Sequence, residues 1–139
     1  MKKIYIASDH AGFKLKESIK KKFSLKFEVL DLGPKHSKKS VNYPDYAHRL
    51  SKKIKKENVG ILVCGSGTGM NIVANKHKNI RAAQCFNLKS TKLSRLHNDA
   101  NIITLGSRLI TKKNALKFIS VFLNTKFDGG RHLKRIKKI

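Results

Sequence analysis

Val59-Gly-Ile-Leu-Val63, followed without a break by Cys64-Gly-Ser-Gly-Thr-Gly69, is the stretch that decides the fold. A run that is apolar throughout reads as a strand covered on both faces, the signature of a central strand in a parallel sheet. The glycine-rich turn leads directly into helical spacing through Met70, Ile72, Val73 and Ala74. A strand, a tight turn and a helix in this order form half of a βαβ unit, so further strands should lie parallel to this one.

The same alternation extends to both sides. Upstream, Lys3-Ile-Tyr-Ile-Ala7 reads as a first strand and Ser8-Asp-His-Ala-Gly12 as a turn, followed by a helix with Phe13, Leu15, Ile19 and Phe23 on one face. A second strand, Phe27-Glu-Val-Leu-Asp31, stops at Leu32-Gly-Pro34 and gives way to a polar loop reaching about Asn42. Tyr43-Pro-Asp-Tyr-Ala47 then opens a helix, with Pro44 in the first turn where its missing N–H costs nothing. Downstream come a strand Arg81-Ala-Ala-Gln-Cys85, a helix from Leu88 to Leu96, a fifth strand Asn101-Ile-Ile-Thr-Leu105 and a core-facing helix from Asn114 to Leu123. The expected fold is α/β: a single Rossmann-like three-layer α/β/α sandwich with a five-stranded parallel sheet, one domain over residues 1–139. The basic tail from about residue 126 to 139 is expected to contribute to the site or to a dimer.

Ligands of such sheets bind beyond the carboxyl ends of the strands, where the strand order reverses. A flavodoxin-like order 2-1-3-4-5 sets strands one and three side by side and brings Asp9, His10 and Cys64 into one crevice. The loop Gly65-Ser66-Gly67-Thr68-Gly69 presents successive backbone N–H groups ahead of a helix and can hold an anion or a developing oxyanion. It is neither a Walker loop, since no Lys-Ser/Thr follows the last glycine, nor the dinucleotide fingerprint, whose glycine spacing differs. Tight packing of the turn would explain the glycines equally well. Cys64 stands at the strand end just before the helix, where the dipole and nearby cations favour a thiolate able to act as a base. Cys85, in mid-strand, reads instead as a buried structural thiol.

The net charge of +24, from 32 Lys+Arg against 8 Asp+Glu, is what a nucleic-acid or anionic-surface protein would show. The lysines, however, are scattered over every surface segment, a general coat and not one stripe, so no specific nucleic acid is expected. No run approaches the roughly 20 apolar residues of a membrane span, and the apolar start of the chain stops at Asp9, short of a signal-peptide core. A cytoplasmic protein with reduced cysteines is expected.

Two further features carry charge chemistry. His97, at the end of a predicted helix in Ser94-Arg-Leu-His-Asn-Asp-Ala100, suits either a site or a C-terminal cap. Arg131 and Arg135 are four apart, on one face of a helical tail, a fork suited to phosphate or simply a basic surface helix. His36, His48 and His77 read as solvated or capping residues. No pair of histidines has metal-ligand context, so no metal and no cofactor is expected.

Together, Ser8-Asp-His-Ala-Gly12, Asn42-Tyr-Pro-Asp-Tyr-Ala47, Cys64-Gly-Ser-Gly-Thr-Gly-Met70 with Ala74-Asn-Lys76, Ile80-Arg-Ala82, Leu93-Ser-Arg-Leu-His-Asn-Asp99, Gly106-Ser-Arg108 and Gly129-Gly-Arg-His132 with Arg135 resemble the ribose-5-phosphate isomerase B family and its galactose- and allose-6-phosphate isomerase relatives, along essentially the whole chain. The resemblance implies a metal-independent aldose–ketose isomerase that interconverts D-ribose 5-phosphate and D-ribulose 5-phosphate through an enediolate, in the pentose phosphate pathway. Its site would be shared between the chains of a homodimer or a dimer of dimers. The resemblance further implies Cys64 as proton acceptor, Gly65 to Gly69 as anion hole and His97 as the acid that opens the furanose ring. It implies Asp9, His10 and Tyr43 as substrate contacts, Asn98 on the sugar hydroxyls, and Arg108, Arg131 and Arg135 as the phosphate clamp. Thr68 lies in the loop that would assist proton transfer. Relatives commonly carry Asp where Asn42 stands, and a branch without the cysteine places Glu at the position of Met70. With Cys64 and Met70, this chain sides with the cysteine type. The same chemistry on a hexose 6-phosphate, or a nonenzymatic anion or nucleic-acid binder, are the other readings.

Overall fold

The computed structural model describes residues 2–139; Met1, the first residue of the expected domain span, lies outside the described residues. The elements follow in the order β1 (Lys3–Ser8), α1 (Phe13–Phe23), β2 (Glu28–Asp31), α2 (Tyr43–Ser51), β3 (Val59–Cys64), α3 (Thr68–Ala74), β4 (Ala82–Gln84), α4 (Leu88–Asn98), β5 (Ile102–Gly106), α5 (Lys112–Asn124) and α6 (Arg131–Ile136). All five strands pair in parallel, as the apolar runs predict.

Burial explains the layers. Every residue of β3 and of β5 is buried, and alternate side chains go to opposite faces. Ile61 and Val63 join Ile4, Ile6, Ile103 and Leu105 in a core with Leu15, Ile19 and Phe23 of α1 and Phe118, Ile119 and Phe122 of α5. Leu62 and Cys64 join Ala7 and Ile102 in a second core with Leu50 of α2 and Met70 and Ala74 of α3. No helix among the described residues is long and apolar enough to cross a membrane.

The strand order is β2-β1-β3-β5-β4, not 2-1-3-4-5. The physical reason lies in the strands themselves. β5 is a fully buried five-residue run, so it takes the place beside β3; β4 is three residues long and half-buried, which suits an edge. The part of the order on which the crevice depends is unchanged, since β1 and β3 are neighbours with Ser8 opposite Val63. α4 also runs two residues beyond Leu96, so His97 and Asn98 are helical, and Asp99 closes the helix in a left-handed conformation with φ 45°.

Candidate active site

The crevice at the strand ends is assembled by loops that hold one another through backbone hydrogen bonds. Asp9 N–H donates to Val63 O at 3.1 Å and Asp9 Oδ1 accepts from Gly12 N–H at 2.9 Å, which folds the first turn over the end of β3. After β5, Ser107 N–H donates to Cys64 O at 2.8 Å and Arg108 N–H to Gly65 O at 3.0 Å. The result is a crevice of about 280 Å³ lined by Asp9, Tyr43, Cys64, Gly65, Ser66, Gly69, Arg108 and Leu109.

Cys64 is buried and unpaired, and Gly67 N–H is directed at its sulfur at 3.1 Å. A backbone donor so placed interacts more strongly with a negatively charged sulfur than with a neutral one. Gly67 adopts φ 78°, where a Cβ would come within 2.9 Å of the Leu105 carbonyl carbon. At Gly69 a Cβ would fall 2.5 Å from the Tyr43 ring, so the ring closes over the N-terminal turn of α3 only because no side chain intervenes. His10 stands at the rim. Its Nδ1 accepts from Val41 N–H at 3.1 Å, which leaves the proton of a neutral ring on Nε2, free to donate to an anion.

Thr68 lies in the loop as expected and is tied to a neighbouring strand. Its Oγ1 accepts a hydrogen bond at 3.0 Å from Gln84 Nε2, which also donates to Ser66 O at 2.8 Å. Ser66 lines the crevice, and its Oγ accepts from Thr68 N–H at 3.3 Å. Gln84, 16 residues from Thr68 along the chain, carries no local motif that would have marked it.

His97, Asn98, Arg131 and Arg135 are not brought to this crevice within one chain. Arg81, just before β4, donates through Nε to Asn98 O at 2.8 Å, and its own N–H donates to Asn101 Oδ1. The end of α4 therefore stands at the amino edge of the sheet. The register from Gly60 opposite Ile102 to Cys64 opposite Gly106 covers four steps, about 13 Å of strand at roughly 3.3 Å each. On this second face the rings of His97 and His132 stack at 4.2 Å between centroids, 12° from parallel. α6 also presents Arg131 and Arg135 exposed, as the tail spacing anticipates.

The histidines correct one expectation. His97, His132 and Asp128 bring donor atoms within 4.8 Å of one another, so a cluster with metal-ligand composition does exist. Coordination requires the in-plane lone pairs of both rings to converge on a point about 2.0–2.1 Å from each, and nearly parallel stacked rings direct theirs side by side. The residues do not fit a metal in this arrangement. Burial lowers the proton affinity of His132, and positive charge at His97, Arg131 and Arg135 lowers it further, with Asp128 in partial opposition. His48 is exposed as expected and His77 half-buried, and the two pair, Nδ1 to Nε2, at 2.7 Å.

Comparison with known proteins puts both faces in context. The family model described as Ribose/Galactose Isomerase matches residues 4–139. The chain is 42% identical to a probable ribose-5-phosphate isomerase B of Mycoplasma genitalium over 98% of its own length and 92% of the relative's. It superposes on ribose 5-phosphate isomerase B of Anaplasma phagocytophilum with a TM-score of 0.96 and 43% identity, covering 99% of this chain and 96% of that one. A Mycoplasma genitalium ribose-5-phosphate isomerase B with bound ribulose-5-phosphate gives a TM-score of 0.95 at 41% identity, covering 98% and 92%. Matched from end to end in sequence and in fold, the chain belongs to the ribose/galactose isomerase family.

Proposed function

We propose that this chain is a cytoplasmic aldose–ketose isomerase of the pentose phosphate pathway that interconverts D-ribose 5-phosphate and D-ribulose 5-phosphate, with each site completed by two chains. The observation that carries the reading is the buried Cys64 facing its glycine-loop donor in a chain that superposes over nearly its whole length on an isomerase holding ribulose-5-phosphate.

Cys64 removes the C2 proton of the open-chain aldose and returns a proton at C1; the C1 oxygen takes up charge in the enediolate and receives the proton of the C2 hydroxyl, whose oxygen becomes the ketone. That carbon acid is weak, so the step depends on preorganised donors. The loop N–H groups left free by contacts within the turn, those of Gly65, Ser66 and Gly69, serve as the anion hole, each donor worth about 3 kcal/mol in the transition state, while Gly67 N–H is directed at the Cys64 sulfur and Thr68 N–H at Ser66 Oγ. Ser66, which lines the crevice, joins Thr68 as a side chain placed to relay a proton. Asp9 and Tyr43 contact the sugar. Before this step the furanose ring must open, which is the role of His97, with Asn98 on the hydroxyls.

Distance supports a second chain: His97 and Cys64 occupy opposite ends of the sheet, and a homodimer would bring His97 and Asn98 of one chain over the crevice of the other. Arg108 and His10 Nε2–H on the crevice side and Arg131 and Arg135 on the other then close on the phosphate, with bidentate guanidinium geometry suited to it. Nothing in the site favours a hexose phosphate or a nonenzymatic ligand.

The test is an isomerase assay on metal-stripped protein with ribose 5-phosphate. We expect turnover by the wild type and a loss of about 10³-fold or more in Cys64→Ala, the scale of a missing general base. Full activity in Cys64→Ala would remove Cys64 from the mechanism, and a folded wild type that turns over no sugar phosphate would remove the isomerase.

A further inference from the structure

His132 has no part in the chemistry above, yet it is among the few buried polar side chains, 9% exposed. The chain is tied down to bring it there. Arg95 Nε donates to Thr125 O at 3.2 Å, Asp128 N–H donates to Leu96 O at 3.1 Å, and His132 N–H donates to Gly129 O at 3.0 Å. Gly129 and Gly130, with φ 68° and 53°, turn the backbone into α6. Residues 125–132 thus form a strap along the last turn of α4, and it ends with one imidazole flat against another.

We propose that His132 is the positioning residue for His97: its buried ring packs face to face on the His97 imidazole and sets the angle at which His97 presents its proton to the ring oxygen of the aldose. The assignment rests on the reading of His97 as the ring-opening acid. In that step the proton of His97 passes to the ring oxygen as the C1–O bond breaks. The C1 hydroxyl loses its proton to solvent as the aldehyde forms, and His97 is reprotonated from solvent. An imidazolium acid stacks well on a neutral aromatic face and poorly on a second cation. Burial and the surrounding positive charge keep His132 on the neutral side of that balance.

The consequence is directional. Ribulose 5-phosphate carries its phosphate on the only hydroxyl that could close a furanose on C2, so it is already open, and the aldehyde formed from it closes in solution without the enzyme. Loss of His132 should therefore impair consumption of the aldose and spare consumption of the ketose.

Initial rates in both directions for His132→Ala, His132→Leu and His132→Phe test this. We expect Ala and Leu to slow ribose 5-phosphate turnover about tenfold or more while leaving ribulose 5-phosphate within about threefold, and Phe, which keeps a flat face, to stay within about threefold in both. Leu fills the volume without a flat face, so a folding defect confined to Ala does not blur the result. Equal losses in both directions, an unimpaired Leu variant, or a KM raised for both sugars in Phe and Leu alike would overturn the proposal; the last would make His132 a phosphate ligand. The His97 ring resonances, read by NMR without substrate, should shift in Leu and return towards wild type in Phe; unmoved resonances in Leu also overturn it. A wild type inactive on both sugars overturns the isomerase reading itself and is seen before any variant is compared.

Discussion

The crevice at the ends of β1 and β3 is held in shape largely by backbone, whereas the α4–α6 face is built from side chains. In the crevice, loop amides bind neighbouring carbonyls and one sulfur, and glycines let the strands, the Tyr43 ring and the loop approach closely. On the other face, two stacked imidazoles and two exposed guanidiniums are carried by a helix end and a short tail helix. Backbone suits the proton-transfer step, because an anion hole must be rigid before charge appears. Long side chains suit ring opening and phosphate capture, where reach matters more. The difference teaches that the sheet holds the two faces apart within one chain, and the proposed mechanism needs both.

The largest effect follows from that separation. Cys64→Ala and His97→Asn should each be nearly inactive on ribose 5-phosphate, yet a mixture of the two, unfolded and refolded together, should recover about a quarter of wild-type activity. In a random C2 mixture about half of the dimers are mixed, and each mixed dimer has one site with both residues intact and one with neither. Recovery near zero would mean that each chain supplies Cys64 and His97 to its own site, and the comparison of two separated faces would break.

Much of the crevice was legible in the sequence because its parts are contiguous. The run from Val59 to Gly69 contains the strand, the thiol and the anion-holding turn together, and local pattern suffices to read it. Lateral facts were not legible. Periodicity reports that β4 and β5 are strands but carries no information on which pairs with β3, and the buried β5 displaced the short β4 from that position. Gln84 meets Ser66 across 18 residues, and His132 meets His97 across a still longer stretch that contains β5 and α5. A resemblance could indicate that Arg131 and Arg135 matter, but only the path of α4 reveals that they stand away from Cys64.

A smaller effect distinguishes the two faces by mechanism. Gly67→Ala places a side chain at φ 78° and 2.9 Å from the Leu105 carbonyl carbon. The left-handed conformation alone costs about 1–2 kcal/mol. The loop must shift, and the N–H that points at Cys64 and the neighbouring donors of the anion hole shift with it, so turnover should fall about 10²-fold in both directions, the scale of a lost oxyanion donor. The His97–His132 ring resonances should not move. If they did, the faces would be coupled through the sheet of one chain.

The smallest effect concerns what holds the crevice side in shape. Lys16, fully buried, donates to both oxygens of Asp31 at 2.8 Å and to Pro34 O at 2.6 Å, while Lys20 donates to Asp31 Oδ2 at 2.6 Å and Gly33 N–H to Asp31 Oδ1 at 2.8 Å. This node shapes the start of the loop whose Val41 N–H reaches His10. Burial alone would raise the Asp31 carboxyl, but the hydrogen bonds from Lys16, Lys20 and Gly33 outweigh it and hold the group below its ordinary value. A carboxylate whose folded-state value is depressed contributes stability that is complete above the unfolded value, near 3.9, and is lost as pH falls towards the folded one. Allowing for solvent screening of a partly exposed group, the contribution is about 1 kcal/mol. Urea unfolding from pH 6 down to pH 3 should show this loss, and Asp31→Asn should flatten that part of the profile. Hydrogen exchange should then show amides of residues 33–41 opening at a higher pH than those of residues 95–100. Simultaneous opening of both segments would mean that acid acts on the sheet as a whole and not on the crevice side first.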